Sequence, residues 1–77
     1  MLNATQCRMA RAALRIGVRQ LASAAGVSAD TISRLERGET LSARKLATVR
    51  AALEARGVEI IDQNGGGPGV RLIRRED

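Results

Sequence analysis

The sequence predicts a mainly α chain, four short helices followed by a short C-terminal β-hairpin. Three observations carry that fold class. Apolar residues recur at helical spacing in four blocks between Asn3 and Gly57. Glycines at 17, 26, 38 and 57 punctuate the blocks. Beyond Gly57 the period changes to alternation, and β-branched residues enter both alternating runs. At 77 residues the chain is one small domain, read as a helical unit over 1–57 and a hairpin with a tail over 58–77.

Each element has its own signals. Asn3 is placed to cap a first helix, with Gln6 three residues on as a variant of the capping box. Cys7, Ala10 and Leu14 share one face of that helix, which runs to Arg15 and is stopped by Gly17. Arg8, Arg11 and Arg15 lie off that face and read as a solvated surface or as part of a cationic one. A second helix, Val18 to Ala25, carries Leu21, Ala22 and Ala25, and Gly26 follows where a left-handed residue ends it. Ser28 caps a third helix over Ala29 to Arg37, with Ile32 and Leu35 inward and Asp30, Ser33, Arg34 and Arg37 outward. Gly38 ends it. Ser42 caps a fourth helix with Leu46, Val49 and Leu53 on one face, ending at Gly57.

Val58-Glu59-Ile60 and Val70-Arg71-Leu72 are the two strands, joined by the glycine-rich loop 63–69. That loop lacks the spacing and the Lys-Ser/Thr of a phosphate-cradling loop and reads as a turn. Arg74-Arg75-Glu76-Asp77 reads as a frayed tail. An isolated two-stranded hairpin is marginal, so Val58, Ile60, Val70 and Leu72 need cover. The fourth helix, or a second copy paired edge to edge, would supply it. These four residues are the expected dimer interface; a strand that docks another protein is the competing reading.

Val18 to Arg37 meets the demands of a helix-turn-helix. Two helices crossing steeply need a small residue at the crossing, which Ala22 supplies. The turn needs a residue tolerant of positive φ, which Gly26 supplies. Leu21, Val27, Ile32 and Leu35 supply core on both sides. On those residues, Leu21-Ala22-Ser23-Ala24-Ala25-Gly26-Val27-Ser28-Ala29-Asp30-Thr31-Ile32-Ser33-Arg34-Leu35-Glu36-Arg37-Gly38 resembles the XRE family, the lambda-repressor/Cro-like DNA-binding domains. The family pattern is L-A-x-x-x-G-V-S-x-x-T-I-S-x-L-E-x-G, and with the flanking helices the likeness covers Leu2 to Gly57.

The resemblance implies that the third helix lies in the major groove of duplex DNA. By matching positions Ala29, Asp30, Ser33 and Arg34 face the bases. Arg34 is suited to fork onto guanine O6 and N7, with a phosphate contact as its plainer role. Asp30 either accepts from a cytosine amine or serves the helix dipole. Ala29 either meets a thymine methyl or is merely small. Ser28, Thr31, Arg37, Thr40, Ser42 and Arg44 are the implied phosphate contacts. The family commonly opens its second helix with Ser-Gln, the glutamine touching a phosphate. Gly17 and Val18 stand there, and Arg19 is the candidate replacement. Glu36 ties the helix to nearby arginines rather than to DNA.

The charge agrees. Thirteen basic residues, twelve of them arginine, face eight acidic ones, for a net +5. A polyanionic partner fits that balance, although a GC-rich genome enriches arginine by itself. The absence of aromatic residues argues against base-stacking single-strand binders and interfacial membrane helices. No apolar run is long enough to span a membrane and no secretory leader is visible, so a cytoplasmic location is expected, with Cys7 reduced. No histidine accompanies the single cysteine, which leaves neither an internal disulfide nor an ordinary zinc site, and no cofactor is expected. A chain this short buries only about 60% of its surface on folding, so a second copy is the remaining support. Neither an activated nucleophile nor a converging carboxylate pair stands out, and an enzyme is not expected. The leading reading is a homodimeric, sequence-specific regulator on a duplex operator. The alternative is a protein-binding module, an antitoxin or antiactivator, using the hairpin.

Overall fold

Six elements follow one another in the computed structural model, which describes residues 1–73: α1 (Ala4–Leu14), α2 (Val18–Ala25), α3 (Ala29–Glu36), α4 (Ala43–Ala55), β1 (Val58–Ile61) and β2 (Gly69–Leu72). The tail expected at 74–77 lies outside the described residues.

Local chemistry explains the helix ends. Asn3 and Gln6 form a full capping box at α1: the Gln6 N–H donates to Asn3 Oδ1 at 2.8 Å and the Asn3 N–H to Gln6 Oε1 at 3.1 Å. Ser28 and Ser42 accept from the N–H groups three residues on, at 3.0 and 3.2 Å. Gly26, at φ +71°, closes α2 with the Val27 N–H returning to the Ala22 carbonyl. One stop differs from the sequence reading. α1 ends on Arg15, which itself adopts the left-handed conformation (φ +58°), while the Ile16 N–H bonds back to Arg11. Gly17 instead caps α2, its N–H held by Gln20 Oε1 at 2.8 Å.

The core is continuous from α1 to the hairpin. Cys7 and Ala10 of α1, Leu21 and Ala22 of α2, Ile32 and Leu35 of α3, and Val49 and Leu53 of α4 are all buried. Ala22, the small residue expected where α2 and α3 meet, is 4% exposed.

The hairpin is antiparallel, with Val58 opposite Leu72 and Ile60 opposite Val70. It lies against α1, and β1 also packs on α4. Val58 (2% exposed) and Ile60 (4%) are therefore inside the chain's own core, and Val70 packs against it. Val58 and Ile60 thus take their cover from the same chain, on the fourth helix as one of the two expected covers and on α1 besides. Leu72 and its neighbour Ile73 remain exposed.

Gln6 makes the attachment specific. Its Nε2 donates to the Ile61 carbonyl at 2.8 Å and to the Gly69 carbonyl at 3.3 Å, so one buried carboxamide grips both strands at the loop end while its oxygen caps α1. Every buried side-chain nitrogen and oxygen among the described residues has a partner.

Candidate nucleic-acid interface

α3 turns two faces in opposite directions. Thr31, Ile32 and Leu35 point into the core. Asp30, Ser33, Arg34 and Arg37 fall on successive turns of the other face, where residues three and four apart are neighbours. Asp30 and Arg37 are exposed and Ser33 and Arg34 half-buried.

The end of α3 is built as a closed motif. Gly38 takes φ +89°, its N–H bonding the Leu35 carbonyl at 2.9 Å, and the Glu39 N–H bonds the Arg34 carbonyl at 3.0 Å. That return places Glu39 beside the outward face. Its carboxylate accepts from Arg34 Nε at 3.0 Å through one oxygen, and from Arg37 Nε and Nη2 at 3.2 and 3.0 Å through the other. Hydrogen bonds first from Arg34 and then from Arg37 hold the Glu39 carboxyl below its ordinary pKa. Glu39 was not foreseen as part of this face. The signal was present as an acid just past the helix-ending glycine, two and five residues beyond the arginines.

The other expected residues divide into groups. Arg19, Thr40 and Arg44 are exposed. Ser42 is exposed and spends one lone pair on the Lys45 N–H, keeping its own hydroxyl proton. Ser28 spends its oxygen on the Thr31 N–H and shares a 2.9 Å hydrogen bond with the Thr31 hydroxyl. Thr31 is 6% exposed. Its hydroxyl meets Ser28 at the N-terminus of α3. Ala29 is half-buried and packs against the core. Hydrogen bonds join Arg34, Arg37 and Glu39 into one cluster; none joins Arg19 or Arg44 to it among the described residues.

The arginines of α1 have a structural task. Arg11 forks onto Glu36, Nε and Nη2 each 2.7 Å from a carboxylate oxygen, and Arg8 donates to the Glu36 carbonyl. Glu36 is thus tied to arginines, as expected, and the pair clamps α1 to the end of α3. Burial works to raise the Glu36 carboxyl, but hydrogen bonds from Arg11 and Cys7 outweigh it and the net shift is downward. The pair's contribution is therefore present above the ordinary carboxylate range and lost as pH falls through the lowered Glu36 value. Burial, and then its hydrogen bond to Glu36, pushes the Cys7 thiol up to about 12, which keeps it protonated and unreactive near neutral pH.

Sorting the cations by partner isolates a set. Arg11, Arg34, Arg37, Arg50 and Arg71 each hold a carboxylate. Among the described residues Arg8, Arg15, Arg19, Arg44, Lys45 and Arg56 hold none, and of these Arg19, Arg44 and Lys45 stand at helix starts. They occupy the first turns of α2 and α4, which contain no acidic residue. A helix N-terminus already carries partial positive charge, so cations there are locally unfavourable until an anion arrives. Among the described residues no group of acidic, cysteine or histidine side chains is arranged to hold a metal, and no helix is long and apolar enough to cross a membrane.

Residues 4–61 match a protein family described as a helix-turn-helix domain. The matched span takes in all four helices and β1. No curated protein matches the chain in sequence.

Proposed function

This chain belongs to the helix-turn-helix domains of the XRE/Cro-like type, a DNA-binding class, and from that premise we propose that it is a sequence-specific regulator of transcription acting as a homodimer on a (pseudo)palindromic duplex operator. The observation that carries the reading is that three cations with no carboxylate partner among the described residues, Arg19, Arg44 and Lys45, stand at the positive ends of α2 and α4. Duplex phosphates supply the missing anions.

With α3 in the major groove, Arg34 forks onto guanine, Asp30 accepts from a cytosine amine, Ser33 reaches a base edge and Ala29 meets a thymine methyl. Arg19, Arg37, Thr40, Ser42 and Arg44 fix the register on the backbone. Ser28 and Thr31 act from behind by holding the first turn of α3. The second copy meets the unpaired edge of β2, where Leu72 and Ile73 are each 46% exposed. The same edge also fits a strand of another protein, the observation that favours an antitoxin-like second reading. Location in the cytoplasm follows from the proposed role.

Selection from a random duplex library tests this reading. The expected product is a symmetric motif with half-sites about one helical turn apart, bound with affinity that falls steeply as salt rises. Arg34→Ala should cost about 1–3 kcal/mol on that motif and relax one base pair per half-site. A flat salt titration overturns DNA binding. Equal losses on selected and random duplex overturn base reading by Arg34. A motif without symmetry, with a full chain that sediments as a monomer whether or not it carries Leu72→Glu, overturns the dimer.

A further inference from the structure

We propose that Glu39 is a specificity-determining positioning residue, whose carboxylate bridges Arg34 and Arg37 and sets how sharply the α3 face separates its cognate duplex from other DNA. The inference rests on the reading of α3 as the recognition helix and deepens it.

The geometry of the bridge is selective about which guanidinium edges it uses. Glu39 takes Arg34 by Nε alone, at 3.0 Å. The two terminal nitrogens of Arg34 have no hydrogen-bond partner among the described residues, and that pair forks onto guanine O6 and N7. Arg37 is held by Nε and Nη2, which leaves Nη1 for a phosphate. The carboxylate therefore fixes two flexible side chains without occupying the atoms that would touch DNA. Its own position is fixed in turn by the Gly38 turn and by the backbone bond from Glu39 to Arg34.

Charge gives the bridge its second effect. A carboxylate on this face repels phosphate and cancels part of the attraction that every duplex sequence would receive. A cognate site offsets that loss because a guanine lies where the held Arg34 points. A random site does not. Holding one arginine and taxing all sequences alike both widen the same gap.

The test uses the full chain, the duplex selected above and a scrambled duplex of equal length, with three proteins: wild type, Glu39→Gln and Glu39→Asp. Glu39→Gln removes the charge and should tighten binding to scrambled duplex while the cognate-to-scrambled ratio falls about tenfold, within the range carried by one bidentate base contact. The preference lost should lie at the base pair that Arg34→Ala also relaxes. Glu39→Asp keeps the charge but withdraws the carboxylate by one methylene, so scrambled binding should stay near wild type while the ratio still falls. Thermal unfolding of both variants should remain close to wild type, since an exposed pair contributes little to stability. An unchanged ratio in Glu39→Gln overturns the proposal. So does a loss of both affinities in proportion to a lowered Tm, which is the mark of a purely structural side chain. A wild-type protein that fails to discriminate at all overturns the recognition reading itself, and the two failures are distinguished by that first measurement.

Discussion

The helical unit and the hairpin are held in place by opposite kinds of interaction. In the helices each start and stop is made within a few residues: Asn3 with Gln6, Ser28 with Thr31, Ser42 with Lys45, and the left-handed residues that end α1, α2 and α3. The hairpin has its own ladder, a Glu59–Arg71 ion pair across it and a glycine-rich loop. What anchors it to the helices is Gln6, far away in sequence on α1, with the faces of α1 and α4 that bury Val58 and Ile60. The contrast teaches that a segment that looks added on by sequence is part of the core. α1 packs on α3 and on both strands, so the hairpin and the third helix share one support.

Truncation after Gly57 is the largest test of that statement. It removes two almost fully buried aliphatic side chains, each contributing about 1.5–3 kcal/mol, and leaves a cavity besides. A domain of this length has roughly 4–12 kcal/mol of total stability at about 0.05–0.15 kcal/mol per residue. The truncated chain is expected to lose most of its cooperative unfolding transition by circular dichroism at 25 °C. A truncated chain that melts cooperatively within a few degrees of the full one would show that the hairpin is an appendage.

Gln6→Glu separates the two roles of one side chain. Glutamate still accepts the Asn3 N–H and completes the capping box, so the local function survives. It cannot donate to the Ile61 and Gly69 carbonyls and places a negative charge against them. The expected cost near neutral pH is about 1–3 kcal/mol, the range for leaving buried polar groups unsatisfied. Hydrogen exchange should show the amides of β1 and β2 losing protection before those of α3. Uniform loss across all elements, or no loss, would mean that the grip on the hairpin carries no separate stability.

The same division decides what could be read from sequence. The α2–Gly26–α3 unit, the serine caps and the outward face carrying Asp30, Ser33 and Arg34 were legible because each rests on spacing within a turn or two. The bonds of Gln6 span 55 and 63 residues, and nothing in its neighbourhood records them. The burial of Thr31 was hidden for a related reason: whether a hydroxyl three residues past a capping serine is covered depends on where the rest of the chain lies. Glu39 escaped notice because its role appears only when the Gly38 turn folds the chain back over Arg34. Arg15 was missed because glycine is the expected left-handed residue, and Gly17 stood two places away.

Arg15→Gly is the smallest test and the one that most directly probes local control. Arg15 sits at φ +58° with no ion-pair partner among the described residues, in a conformation that costs a side-chain-bearing residue roughly 1–2 kcal/mol. Glycine removes that cost but makes the unfolded chain more disordered by about 0.4–1 kcal/mol. The net expectation is a gain of roughly 0.5–1 kcal/mol, seen as a rise in Tm of about 2–8 °C for a domain of this size. Because Arg15 caps the C-terminal end of α1, outside the Arg34, Arg37 and Glu39 cluster, the cognate-to-scrambled binding ratio should stay at its wild-type value while the melting point moves. A fall in Tm would mean that the arginine side chain stabilises the end of α1 by more than its backbone costs, and that this stop is held by tertiary contact like the hairpin.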